Sequence, residues 1–220
     1  MNEGLLFGIG LRIRCTMLFN FGSYKYARSL HRIYSRVHLN MLPKLELIAA
    51  ACENMGIGVN GDLPWRLKTE MAYFTRMTTN TKYKNKRNVV LMGRRTWECI
   101  PEKYRPLKDR INMVLTSQSL DYGDDAITCK SIPHAFDVIS GMQNQVERVW
   151  VIGGSSVYKS AMESPHFGRL YLTRIKKKFE CDTFFPSISN DLVLIEDPMI
   201  PQGIQEEKGI EFVYEVYERR

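Results

Sequence analysis

The chain has 220 residues, 44% of them hydrophobic, enough for one domain with a well-filled core and too few for two independent ones. Its net charge of +7 is uneven: residues 1–40 carry six Lys/Arg against one acid, while the other 180 carry 25 basic and 23 acidic residues. That nearly neutral body offers little electrostatic footprint for nucleic acid.

Residues 1–40 come first in the chain and differ from the rest. Arg28, Arg32 and Arg36 recur every four residues beside Leu30, Ile33, Tyr34 and Val37, an acid-poor amphipathic pattern that suits a mitochondrial targeting segment. Two alternatives stay open: Met41 is the true start and 1–40 is an upstream extension of the reading frame, or 1–40 is a disordered arm. The expected organisation is therefore a basic extension over 1–40 and a single domain over 41–220. A cytoplasmic location is expected, or a mitochondrial one if the extension is a genuine transit segment.

From Leu45 onward, short apolar runs at 45–51, 88–92, 111–115 and 148–152 have the signature of strands covered on both faces. Helical patterns fall between them at 67–77, after Gly93, and at 132–142, where Phe136, Ile139 and Ser140 share one side. Segments 169–174 and 210–218 alternate apolar and polar residues, as antiparallel strands near a sheet edge would. Together these predict an α/β fold: one domain, a mainly parallel central sheet, antiparallel C-terminal strands and flanking helices.

Five scattered cysteines, never closer than 30 residues, argue against a disulfide framework and for reduced thiols. The four histidines lack zinc-type spacing, so no metal site is expected. No apolar run approaches the roughly 18 residues needed to span a bilayer.

Glu70 needs an explanation. Leu67, Met71, Phe74 and Met77 recur at helical spacing, and Glu70 falls on the same face. An unpaired carboxylate there costs several kcal/mol of desolvation, or takes up a proton instead. Either it leans into water or pairs locally, or something outside the helix requires it.

Gly56-Ile57-Gly58-Val59-Asn60-Gly61 fits G-x-G-x-x-G, but the context refutes a dinucleotide fingerprint. Gly61 is followed by Asp62-Leu63-Pro64-Trp65, and Pro64 holds Leu63 extended where the fingerprint needs a helix. The better phosphate cradle is Ile152-Gly153-Gly154-Ser155-Ser156-Val157-Tyr158, a strand ending in two glycines before a helix start. A second junction, Met92-Gly93-Arg94-Arg95-Thr96-Trp97, adds two guanidiniums. Each alone reads equally well as an ordinary α/β turn; two together favour a ligand with several phosphates.

These blocks, with Glu70 and Asp182-Thr183-Phe184-Phe185-Pro186, follow one another in an order and spacing that resembles dihydrofolate reductase from about Leu45 to the C-terminus. The resemblance implies reduction of 7,8-dihydrofolate to tetrahydrofolate, with NADPH as hydride donor. It implies that Glu70 binds the pterin's paired donors and supports N5 protonation, with Trp65 holding a water and Leu63 packed at the pocket. It places Ile48, Ala50, Phe74, Ile152, Tyr158 and Thr173 around the pterin or its acid. Ile100, Pro101 and Leu107 would line the aminobenzoyl part, and Arg110 would pair with the tail carboxylate.

For the cofactor it implies Ala50, Ile57, Gly61 and Asp62 beside the nicotinamide. Gly93, Arg94, Arg95, Thr96, Thr116, Ser117 and Lys130 would lie along the nucleotide. Gly153 and Gly154, joined in the family by a cis peptide, would hold the pyrophosphate with Ser155, Ser156 and Val157, while Ile152 and Tyr158 flank the nicotinamide. A monomer is expected, open to antifolate inhibitors, with no membrane or nucleic-acid partner.

Three departures stand out. Thr116-Ser117-Gln118 lacks the arginine the family often places for the 2′-phosphate. Tyr104 replaces a smaller polar residue, and Trp65 and Glu70 are only five apart. Two alternatives are a same-fold reductase of a riboflavin-pathway pyrimidine and a catalytically silent nucleotide- or RNA-binding relative.

Overall fold

The computed structural model describes residues 43–220; the expectations for the basic extension lie outside the described residues. In chain order the elements are β1 (Leu45–Ala51), β2 (Gly56–Gly58), α1 (Lys68–Thr79), β3 (Arg87–Gly93), α2 (Arg94–Cys99), β4 (Arg110–Leu115), β5 (Ile127–Cys129), α3 (Ile132–Ser140), β6 (Val146–Gly153), α4 (Ser155–Met162), β7 (Phe167–Ile175), β8 (Thr183–Phe184), β9 (Leu192–Ile195), β10 (Gln205–Glu207) and β11 (Ile210–Arg219). The main sheet runs β10-β11-β7-β1-β6-β3-β4-β5, with β9 also paired to β11, while β2 and β8 form a separate pair. Pairings from β7 through β5 are parallel, and β9, β10 and β11 add antiparallel strands.

The period of two in each strand divides the core into two layers. Leu45, Leu47, Ala49 and Ala51 of β1 and Val149 and Val151 of β6 pack with α3 and α4 on one face. Ile48 and Trp150 point the other way, into a layer with Tyr73 and Met77 of α1 and Trp97 of α2. Burying each large aliphatic side chain is worth about 1.5–3 kcal/mol, so covering both faces explains the continuous apolar runs. Local signals set the α3 start: Ser131 caps it by accepting the His134 N–H at 3.2 Å, with Pro133 in the first turn. Among the described residues, no helix is long and apolar enough to cross a membrane.

Three expectations are corrected. Segment 169–174 is no edge strand: β7 lies between β1 and β11, with Leu170, Tyr171, Leu172 and Thr173 buried. Its polar signal comes from Arg169 and Arg174 near the strand ends, which pair with Glu218 at 3.2 Å and Glu215 at 3.9 Å. Ser140 is exposed, and α3 buries Ile132, Ala135, Phe136 and Ile139 instead. The α1 stripe is split, since Met71 is 45% exposed while Glu70, Tyr73 and Met77 are buried. Leu67, Glu70, Met71 and Phe74 line a cleft, so much of that apolar face is a wall for a ligand rather than core.

Candidate active site

A cleft of about 1960 Å³ crosses the carboxyl ends of the parallel strands. Ile48 and Ala50 come from β1, Gly93 ends β3, Leu115 ends β4 with Thr116 just after it, Lys130 follows β5, and Ile152 and Gly153 end β6. This is where an open α/β sheet offers loops and helix starts without disturbing its core. Every residue expected in the site lines the cleft except Thr173, which hydrogen-bonds the lining residue Glu70.

Glu70 is 5% exposed, and one of its oxygens accepts a hydrogen bond from the Thr173 hydroxyl at 3.2 Å. Thr173 stands opposite Ala50 on one side and Tyr214 on the other in the sheet register, so two neighbouring strands fix the donor. Burial raises the Glu70 pKa to about 7 and the Thr173 bond opposes the shift. The acid can therefore exchange a proton near neutral pH. Trp65 lines the same cleft, and its buried indole N–H has no protein partner among the described residues.

The two glycine junctions face each other. Gly153 and Gly154 are joined by a cis peptide, and Gly153 has φ +125°, which a side chain rarely tolerates. A Cβ on Gly93 would lie 3.2 Å from Val157, and one on Gly154 would lie 3.3 Å from the Thr96 hydroxyl. The missing side chains let the backbones approach and open the α4 N-terminus to an anion. Tyr158 donates to the Ile48 carbonyl at 2.8 Å, and burial pushes its phenol far above the usual range, so it acts as a neutral donor. Arg94 is less free than the sequence suggests: one of its nitrogens contacts both Glu98 carboxylate oxygens, at 2.8 and 2.7 Å. Arg95, Ser117 and Lys130 remain exposed along the same wall.

At the other end Arg110 donates to the Lys108 carbonyl at 2.9 Å and the Thr78 hydroxyl at 2.8 Å. Among the described residues it makes no salt bridge, so a partly buried guanidinium held in place still has donors for an anion. Ile100, Pro101 and Leu107 line the same cleft as Arg110.

Loop 53–65 roofs the cleft. Its β2 segment pairs with β8, the Asn60 N–H donates to the Asp182 carboxylate at 2.7 Å, and the Asp182 N–H donates to Gly58 at 3.1 Å. No helix follows Gly61, which turns at φ +77° against Cys99, so the G-x-G-x-x-G match is spurious here. Lys68, Met71, Cys99, Lys159, Pro186 and Lys208 also line the cleft and carried no sequence signal beyond their neighbours. Long-range contacts bring them there. The Glu207 carboxylate accepts the Lys68 and Thr69 N–H groups at 2.9 and 2.7 Å, capping α1 where Leu67 provides no side-chain cap. Lys208 donates to the Arg66 carbonyl at 2.9 Å.

A cleft at parallel strand ends, with two facing glycine junctions and a buried acid, is the plan of an α/β enzyme that holds a nucleotide beside a small planar substrate. Residues 44–219 match the family model described as dihydrofolate reductase. The chain is 50% identical over 181 residues to a dihydrofolate reductase of Heliothis virescens, covering 80% of this chain and 97% of that protein. It is 49% identical over 185 residues to one of Bos taurus, covering 81% and 99%. A solved Schistosoma mansoni dihydrofolate reductase superposes with TM-score 0.72 at 36% identity, covering 81% of this chain and 100% of that one. The chain belongs to the dihydrofolate reductase family, and it is an enzyme that reduces dihydrofolate.

Proposed function

We propose that NADPH is the reductant, lying across the two glycine junctions, with dihydrofolate between α1 and the ends of β1 and β6. When bound, NADPH supplies the hydride. This chain's residues orient the partners, exclude water and manage the proton. The observation that carries the reading is the buried Glu70 carboxyl, fixed by Thr173 and facing the cleft.

Its two oxygens match the forked donors of a pterin edge. Binding there positions the ring against Ile48, Ala50, Phe74, Ile152 and Tyr158 while leaving its N5 side toward Leu63 and Trp65. A water on the orphaned Trp65 N–H passes a proton to N5, and Glu70, with its pKa raised to about 7, supports that transfer. Ile100, Pro101 and Leu107 hold the aminobenzoyl group, and Arg110 pairs with the tail carboxylate. Antifolates that mimic these groups compete for the same cleft. Arg110 also favours this substrate over a riboflavin-pathway pyrimidine, which has no tail carboxylate.

The fit to NADPH rests on the cradle at Gly153, Gly154, Ser155, Ser156 and Val157, with Gly93 and Thr96 opposite. Ala50, Ile57, Gly61 and Asp62 flank the nicotinamide end. Since Arg94 is held by Glu98, selectivity for the 2′-phosphate falls to Arg95, Ser117 and Lys130, with Thr116 shaping the wall. Following cofactor absorbance with dihydrofolate and either NADPH or NADH tests the reading. NADPH is expected to be the better donor, and Arg95→Ala is expected to narrow the gap; equal rates with both cofactors would overturn the choice.

We also propose that residues 41–220 form the catalytic domain, supported by the family match over 44–219, and that it acts as a monomer in the cytoplasm, or in the mitochondrion if residues 1–40 are a genuine transit segment. Mass spectrometry of the native N-terminus and gel filtration check this.

A further inference from the structure

Cys52 and Cys181 are 129 residues apart in sequence, yet their sulfurs are 3.8 Å apart. Cys52 is fully buried directly after β1, at the first residue before loop 53–65, and its thiol donates to the Asn54 side chain at 2.7 Å. Cys181 is partly exposed and immediately precedes Asp182, the residue that holds Gly58 and Asn60. Nothing intervenes between the sulfurs, because the residue against both is Gly56. A Cβ there would fall 2.3 Å from the Cys181 sulfur and 3.0 Å from that of Cys52. The other described thiols are placed differently: Cys99 lies against Gly61, and Cys129 is buried in the core.

We infer that Cys52 and Cys181 form an oxidisable dithiol, a modification site whose disulfide ties the base of loop 53–65 to the segment leading into β8. The sulfurs must close from 3.8 Å to about 2.05 Å, a distance that side-chain rotation can supply at a glycine-lined gap. The oxidant is a small disulfide such as oxidised glutathione. The accessible Cys181 thiolate attacks one of its sulfurs and expels one thiolate; the Cys52 thiolate then attacks the Cys181 sulfur and expels the second. Two protein thiols lose two electrons and two protons, and one disulfide becomes two free thiols. The bond crosses the seam that the β2–β8 pairing and the Asn60–Asp182 hydrogen bond already close. It therefore restrains the roof of the cleft from its base, where neither cysteine itself lines the cleft.

The test uses the full chain incubated with oxidised glutathione, alkylated, digested without reductant and examined by mass spectrometry. A joined peptide pair carrying Cys52 and Cys181, two hydrogens lighter than the sum of its parts and released by dithiothreitol, is expected. Cys99→Ser retains it; Cys52→Ser and Cys181→Ser lose it. Hydrogen exchange over residues 54–60 should slow several-fold in the oxidised protein and recover on reduction. A glutathione adduct on Cys181 that never resolves, or pairing of either thiol elsewhere, would overturn the site. A formed bond with unchanged exchange would overturn the restraint. These readouts are independent of which cofactor the enzyme uses.

Discussion

The Thr173 hydroxyl and a Glu70 oxygen, from residues 103 apart in sequence, meet at 3.2 Å in the only hydrogen bond that the Glu70 side chain makes within the described residues. The bond favours the ionised acid, while burial opposes it. Thr173→Val keeps the shape and removes the donor. A hydrogen bond to a charged group is worth about 1.5–3 kcal/mol, so the Glu70 pKa should rise by about one unit or more. The pH–rate profile of turnover should move upward by a similar amount; a profile that stays in place would show that Thr173 does not tune the acid.

Glu70 also links folding to pH. Its pKa in the folded chain is about 7, against an ordinary 4.5, so the folded state holds a proton that the unfolded state has released. Its contribution is therefore most favourable below pH 4.5 and is lost as pH rises toward 7, a change of about 3 kcal/mol. Glu70→Gln removes this dependence. The variant should be more stable than the parent above neutrality, by up to about 3 kcal/mol in urea unfolding, while losing most of its turnover. Equal stability of the two proteins at both ends of that range would show that the carboxyl is not desolvated as the structure has it.

In the proposed reading Arg110 is the partner of the tail carboxylate, which its truncation would leave unpaired. Arg110→Ala should weaken folate binding by about 2–5 kcal/mol, the range for removing one member of a buried charge pair. A pterin lacking the glutamate tail should bind both proteins alike in the same fluorescence titration. Arg110→Lys should recover only part of the loss, since a lysine cannot also hold the Lys108 carbonyl and Thr78 hydroxyl in fork geometry.

Gly153 has φ +125° and lies 3.5 Å from both the Thr96 and Tyr158 hydroxyls, as measured from an added Cβ. The space would accept a methyl group, but the backbone would not. Gly153→Ala should cost more than about 1 kcal/mol of stability and weaken cofactor binding, read by thermal unfolding with and without NADPH. A stabilising alanine would rule out the backbone argument.

The cleft was largely legible because its parts are local in sequence. Glycines at strand ends and the acid within a helical stripe each declare themselves over fewer than ten residues. What escaped depends mostly on contacts across the fold, apart from one local pair. The partner of Arg94 is Glu98, one helical turn away, and spacing alone does not distinguish that pair from a guanidinium left free. Met71 shares a face with core residues, and only the position of the opposite wall makes it part of a ligand surface. The alternation in 169–174 reflects ion pairs at the ends of a central strand, a signal that resembles that of an edge. The two thiols, 129 residues apart in sequence and read there only as scattered reduced cysteines, meet because β1 and the segment before β8 end at one seam.

The cap that Glu207 places on α1 has a consequence for biosynthesis. A ribosome releases Glu70 into solution long before Glu207, Thr173 or β11 exists, so the helix carrying the acid emerges with its first amides unsatisfied and its donor still unmade. The acid acquires its donor only when β7 is made, and α1 its cap only when Glu207 of β10 follows. Competence for chemistry therefore waits on elements that follow the acid by at least 103 residues.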